Sequence, residues 1–285
     1  MTSRVIVLGG SGMLGSMVSG YLARNPGLSV LGVMREGFDA EQFVYGRPQK
    51  TALDADYIIN CIGIIKPFCR DTDPIGVQRA IIVNGLFPHK LAEVAKAKGA
   101  KVIQIATDCV YSGQKGNYPE DAPHDALDVY GKTKSLGEVF DKSLLNIRCS
   151  IIGPEIKNKV SLLEWFLGNA PGSELKGFTH HKWNGVTTLQ FAKLCETIIL
   201  KEGTYESLLE VSGLHHFLPN STVDKYELLQ LMQEAFGTKF SIKPVGDVGP
   251  AIDRTMATKY PLLGSLYPAG QMRDALIELR KYMTA

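Results

Sequence analysis

Long apolar runs are missing from this chain: no window approaches the ~18 apolar residues that a membrane-spanning helix needs. The only apolar run at the N-terminus, residues 5–8, leads into glycines rather than a cleavage site, so a cytoplasmic protein without a membrane partner is expected. Charge of one sign is also missing. With 31 Lys and Arg against 29 Asp and Glu, the formal net charge of +2 gives no reason to expect nucleic acid as a partner. Cysteine is sparse and odd in number: five, with no CxxC pair, and none of the six histidines falls at zinc-ligand spacing. No metal site is expected, and a reducing compartment fits the unpaired thiols. Cys61, Cys109 and Cys149 lie in or beside apolar runs, where cysteine behaves as a small hydrophobe. Repeats and low-complexity tracts are absent.

What is present is an alternation of strand and helix. Residues 4–8, 29–34, 56–62, 101–106 and 144–151 are rich in Val and Ile without polar alternation, as a parallel sheet buried on both faces requires. Between them Leu14, Val18 and Leu22 share one helical face, and residues 74–98 form a second helix that Gly99 ends and Pro88 should kink. The fold expected is α/β, a doubly wound parallel (Rossmann) sheet carrying a smaller, discontinuous C-terminal substrate domain. Residues 1–152 form the nucleotide-binding part, with 184–214 returning to it through a helix at 189–200 and a strand at 208–211. Residues 153–183 and 215–285 make the substrate lid, with helices near 161–167, 225–236 and 271–283.

Two constellations carry chemistry. Gly10-x-Gly12-x-x-Gly15 follows the first strand and opens a helix, and Gly9-x-x-Gly12-x-x-Gly15 fits the variant spacing equally well. Such a turn lets a pyrophosphate approach free helix N–H groups, so Gly9, Gly10, Ser11, Gly12, Met13, Leu14 and Gly15 are cofactor-binding candidates. Strand two ends in Arg35, whose guanidinium suits a 2′-phosphate and favours NADP (NADPH); Glu36 doing the ribose-binding acid's job, with NAD bound, is the alternative. The second constellation is Thr107, Tyr130 and Lys134. Tyr130 and Lys134 stand one helical turn apart, and Thr107 ends a strand at the sheet's carboxyl edge. A free tyrosine has a pKa near 10, and a neighbouring lysine cation lowers it.

These motifs resemble the extended short-chain dehydrogenase/reductase superfamily, and within it the chain is most similar to dTDP-4-dehydrorhamnose reductases. The likeness runs through LGGSGMLG, DYIINCIG at 56–63, Val83-Asn84, TDCVYSG at 107–113, YGKTKSLGE at 130–138, RCSIIG at 148–153 and WNGVTT at 183–188. It implies that Tyr130 donates the proton to a ketone oxygen, Lys134 binds the nicotinamide ribose and tunes Tyr130, and Thr107 positions the carbonyl. It further implies that Asn84 supports the active-site helix and that Cys61, Ile62 and Gly63 line the cofactor path. The chain departs from the family's pattern in Ser150-Ile151-Ile152, which lacks a tryptophan, in Asn184-Gly185-Val186-Thr187 for Gly-Ser-Pro-Thr, and in a short stretch between strands two and four. Sugar-nucleotide dehydratases carry Asp-Glu where this chain has Asp108-Cys109, so water elimination is not expected.

The resemblance therefore implies an NADPH-dependent oxidoreductase reducing a nucleotide-linked 4-keto-6-deoxysugar for polysaccharide biosynthesis; a homodimer is one assembly open to it, and the sequence does not fix the oligomer. An epimerase with bound NAD is one alternative. A non-catalytic NADP-binding regulatory subunit, as in methionine adenosyltransferase, is another. Asp108, Cys109, Asn158 and Arg254 are the substrate-binding candidates. The cluster His180-His181-Lys182 shares with Arg254 the expectation of a diphosphate clamp, against solvated loop residues and an Arg254–Asp253 ion pair. His215-His216 is expected in a structural turn, and Trp165 and Phe166 in packing.

Overall fold

Buried apolar strands pair side by side because each needs cover on both faces, and here six do so in parallel. The computed structural model describes residues 2–246 and 248–285. Strands β1 (Ser3–Leu8), β2 (Leu28–Val33), β3 (Tyr57–Asn60), β4 (Lys101–Thr107) and β5 (Leu145–Cys149) are joined by a last strand, Leu214–His216, in the order β2-β1-β3-β4-β5-last. Val5 and Val7 face one layer, with helix α1 (Met13–Leu22), the Thr188–Leu200 helix and the C-terminal helices; Ile6 and Leu8 face the other, with Phe87 and Leu91. Burying each such side chain contributes about 1.5–3 kcal/mol. The doubly wound sheet expected from the sequence is therefore present, with its topological switch between β1 and β3, where ligands bind in such folds.

The expected strand at 208–211 is a correction. Those residues belong to a helix, Thr204–Val211, and the strand that returns to the sheet is Leu214–His216, paired with β5. Thr204, Tyr205 and Leu208 are buried on one helical face, and the Tyr205 hydroxyl donates to the Val102 carbonyl at 3.0 Å. His215 and His216 accordingly sit in the sheet, not in a turn.

The long helix at 74–98 is continuous but not uniform. It runs as Pro74–Ala80, a wide π-turn at Ile81–Leu86, and Phe87–Lys98, closed by Gly99 at φ +72°. In a regular helix the Pro88 ring would clash with the carbonyl four residues back, that of Asn84. The π-turn relieves that clash, and it leaves Asn84 buried and turned toward the site.

Between 153 and 184, where the sequence suggested a single helix near 161–167, the chain also forms two strands. Glu174–Phe178 pairs in parallel with Ser241–Val245, and His181–Trp183 lies between Val223–Asp224 and Ile252–Asp253. Among the described residues no helix is long and apolar enough to cross a membrane, and no cluster of His, Cys, Asp or Glu could hold a metal.

Candidate active site

The glycine turn is built from backbone alone. Gly9, at φ +84°, and Gly10 both donate to the Val33 carbonyl, at 3.0 and 2.9 Å, and Gly12 donates to Gly9 at 2.9 Å. A Cβ on Gly15 would lie 2.2 Å from the Gly9 oxygen, so the helix closes against the turn only with glycine there. Helix α1 has neither a side-chain cap nor an acidic residue in its first turn, which leaves its free N–H groups for an anion. A cleft of about 260 Å³ runs from Gly9 and Gly12 past Cys61–Gly63 to Arg35 and Arg79. These donors fit a dinucleotide: glycines at the pyrophosphate position and guanidinium groups at one end. Glu36 is exposed; the acids at that end are Asp39 and Glu41.

Thr107 ends β4 nearly buried, its hydroxyl donating to Asp108 Oδ1 and accepting from the Cys109 N–H, both at 3.2 Å. The Val129–Leu136 helix is started by Asp128, which accepts from the Gly131 N–H at 2.7 Å, and it presents Tyr130 and Lys134 on one face. Asn84 ties this helix to the β3 exit. Its amide pairs with the Ile64 backbone in both directions, at 2.8 and 2.9 Å, and reaches Thr133 Oγ1 at 3.2 Å.

The charges differ from the simple lysine–tyrosine pairing. The buried Lys134 ammonium donates to the Ile105 carbonyl at 3.0 Å, and burial pushes its pKa down to about 8 against the pull of Glu138. Burial, with Cys109 adding to it, holds Tyr130 well above the ordinary phenol range; the Thr107 side chain, hydrogen-bonding to it, pulls the other way. Tyr130 is thus a protonated donor at neutral pH. Burial also pushes the Cys109 thiol up to about 12, so it is neutral and no substitute for a carboxylate.

On the lid side, the three-stranded sheet sorts the candidates. Asp224 and Asp253 both pair with Lys182, and Val223 with Trp183 and Ile252 with His181. Side chains alternate along strands, so His181 and Trp183 share one face with Val223 and Ile252, and Lys182 goes to the other. Just past their strands, Lys225 lies over the Trp183 ring, and the charges of Lys225 and Arg254 both act on His181. The expected His180–Lys182 clamp is therefore split. Arg254 Nε donates to the Tyr111 carbonyl at 3.0 Å, while the Asp253 carboxylate is taken by the Thr255 N–H and hydroxyl, so the alternative of an Arg254–Asp253 ion pair is not formed. Asn158 stands apart, exposed on a loop at φ +68° and hydrogen-bonded to none of these groups.

Residues 3–152 match the family described as RmlD substrate binding domain. The chain belongs to that family. A dTDP-4-dehydrorhamnose reductase of Streptomyces griseus is 33% identical over 136 residues, 47% of this chain and 43% of the reductase. The match thus spans less than half of that relative's length. The methionine adenosyltransferase 2 subunit beta of Xenopus tropicalis is 24% identical over 260 residues, 86% of this chain and 75% of that protein. Among solved structures, a dTDP-4-dehydrorhamnose reductase of Bacillus anthracis in complex with NADP superimposes with a TM-score of 0.77 at 17% identity, over 100% of both chains. That likeness is one of fold.

Two groups near the candidate site escaped the sequence. Lys225 packs its ammonium 5.6 Å from the Trp183 ring, in the field of Asp108 and Cys109; burial pushes its pKa down. Its only local signal is its place after the Asp224–Glu227 capping box, which says nothing of the cleft. The second is a hub on Arg148, whose side chain is 0% exposed. Its guanidinium donates to both Glu138 oxygens at 3.0 and 2.6 Å, to Tyr111 Oη at 2.6 Å, to His216 Nε2 at 2.7 Å and to His124 Nε2 at 2.8 Å. It ties Glu138, two residues past the Val129–Leu136 helix, to β5, to the 107–113 segment and to the last strand.

The hub sets a pH limit. Burial and Arg148 push His216 down to about 4, although Glu120 opposes them; burial likewise pushes His124 down. An unfolded histidine titrates near 6.5, so between these values the unfolded chain binds more protons. Stability is then complete above about pH 6.5 and is lost as pH falls toward 4. Thermal unfolding at pH 7.5 and pH 5 should place the lower midpoint at pH 5. His216→Gln should flatten that difference; an unchanged slope would remove His216 as its source.

Proposed function

We propose that this protein is an NADPH-dependent reductase of a nucleotide-linked 4-keto-6-deoxysugar, of the dTDP-4-dehydrorhamnose reductase kind. The observation that carries this is the meeting of Thr107, Tyr130 and Lys134 at the carboxyl edge of β4, beside the glycine-turn cleft. Bound in that cleft, the cofactor supplies the hydride for the carbonyl carbon. Thr107 hydrogen-bonds the carbonyl oxygen and Tyr130 gives it a proton as charge develops there. Lys134, with a pKa near 8, holds the ribose and returns a proton to the phenolate. Glycines 9 to 15 and Arg35 hold the pyrophosphate and 2′-phosphate, Cys61–Gly63 line the path between, and Asp108 and Cys109 border the sugar.

Measuring NADPH oxidation with a panel of nucleotide 4-ketosugars tests the proposal. No turnover with any of them would end it. Arg254 is the diphosphate ligand: its fork is free beyond the Tyr111 contact, and Arg254→Lys should raise KM for the nucleotide sugar about five- to tenfold, one charged hydrogen bond being lost. NADPH affinity should not move; a variant that lost it would make Arg254 structural.

A regulatory, non-catalytic role is the second candidate, because the methionine adenosyltransferase subunit aligns over 86% of the chain and the reductase over 47%. Turnover by the wild type separates the two. The homodimer is proposed on an apolar strip: Ile81, Leu86, Leu136 and Phe140 are 46–64% exposed on the Ile81–Leu86 turn, the end of the Val129–Leu136 helix and the loop that follows it. Sedimentation velocity should give a mass near twice that of the chain.

A further inference from the structure

At the end of the cofactor cleft, one carboxylate oxygen serves two guanidinium groups. Glu41 Oε1 accepts from Arg79 Nε at 2.8 Å and from Arg35 Nη2 at 3.3 Å. The two arginines come from different elements, Arg35 from the end of β2 and Arg79 from the Pro74–Ala80 helix, and both line the cleft with the glycine turn. Asp39 stands beside them with its acceptors already used. Its Oδ1 takes the N–H groups of Glu41 and Gln42 as the cap of the Ala40–Val44 helix, and its Oδ2 takes Arg35 Nε at 2.7 Å. Glu41 has no such structural duty: the bonds its carboxylate accepts come from these two arginines.

Two guanidinium forks converging on one oxyanion form a phosphate-binding arrangement, and planar forks bind phosphate better than a point charge does. The pairs that now occupy the forks are weak, because Arg35 is 62% exposed and Arg79 37% exposed, and ion pairs in such settings contribute little. A phosphate monoester carries up to two negative charges and three acceptor oxygens against the single charge of Glu41. Its exchange for the carboxylate is favourable on both counts.

We propose that Arg79 is the second arm of a 2′-phosphate site and that Glu41 is its internal stand-in, displaced when the phosphorylated adenosine ribose enters. Cofactor choice is then set by three residues together: Arg35 and Arg79 attract the phosphate, and Glu41 competes with it and holds both forks in place beforehand. This rests on the cofactor assignment made above and adds residues to it. It also explains how a chain with two acids at this end of the cleft accommodates a 2′-phosphate at all.

The test is binding, independent of turnover. The full chain is titrated calorimetrically with ADP-ribose and with 2′-phospho-ADP-ribose. Arg79→Met should weaken the phosphorylated probe about ten- to a hundredfold, the loss of one charged contact, and leave ADP-ribose unchanged. Arg79→Lys should fall between. Glu41→Gln should strengthen the phosphorylated probe several-fold and leave ADP-ribose as it was. If Arg79→Met weakens both probes equally, or Glu41→Gln weakens ADP-ribose, Glu41 is a ribose-hydroxyl acceptor and the proposal is overturned. Equal affinity of the wild type for the two probes would overturn it while leaving a nicotinamide enzyme intact. A wild type that binds neither probe would overturn both.

Discussion

Tyr130→Phe should lower turnover by about 10²–10⁴ while NADPH binding survives. The substitution removes one hydroxyl and keeps the ring, so packing in the first turn of the Val129–Leu136 helix is undisturbed. The size of the loss follows from the protonation state. Burial holds the phenol above its ordinary range, so under the proposed mechanism Tyr130 carries the proton that a developing alkoxide would take. Thr107, a neutral aliphatic hydroxyl, can hydrogen-bond the carbonyl oxygen by turning from Asp108 but is too weak an acid to supply that proton in its place. Stopped-flow reduction with NADPH fluorescence as a parallel binding readout separates the two quantities. Turnover within a factor of three or so of wild type would rule Tyr130 out as the acid.

Arg148→Met should be strongly destabilising. It leaves the buried Glu138 side chain without either of its guanidinium donors, and breaking one half of a buried pair costs about 3–5 kcal/mol. At roughly 2–4 °C per kcal/mol for a domain of this size, the unfolding midpoint should fall by about 6–20 °C. Adding Glu138→Leu should recover most of the loss, since two apolar partners of similar volume are tolerated where one lone charge is not. His124 Nε2 lies 3.7 Å from Glu138 Oε2 and would become the remaining cation, so the single variant should recover part of its stability as pH is lowered toward 6. A shift of only a degree or two at neutral pH would mean that the hub is dispensable.

The sheet was legible because its strands are apolar on both faces, and the glycine turn because its spacing serves one backbone geometry. Tyr130, Lys134 and Thr107 were legible for a similar reason: local spacing and strand ends fix where they stand. What was not legible depends on pairing between distant short segments. Residues 208–211 contain Leu, Leu and Val, which suit a strand, but burial of Tyr205 and Leu208 at helical spacing decides for a helix. Lys225 and Arg254 meet only because two-residue strands pair across His181–Trp183, and no periodicity can be read from two residues. The Arg148 hub joins positions up to 68 residues apart, and a lone arginine in an apolar run carries no mark of its partners. Arg35 was legible as a charge at the strand end; the carboxylates that hold it came from the helix that follows.

The small sheet on the lid side has a kinetic consequence. Its three strands come from residues 181–183, 223–224 and 252–253, and each pairing contains only two residues. Pairings that short supply few backbone hydrogen bonds of their own, so the sheet is held by the packing of Trp183 and Val223 into the main core. The cluster of His181, Lys225 and Arg254 therefore exists only while three separate stretches of chain are docked at once. A ligand that touches all three selects that docked population, and its association rate is capped by how often the stretches assemble. The glycine turn, set on the six-stranded sheet, needs no such assembly of separate stretches.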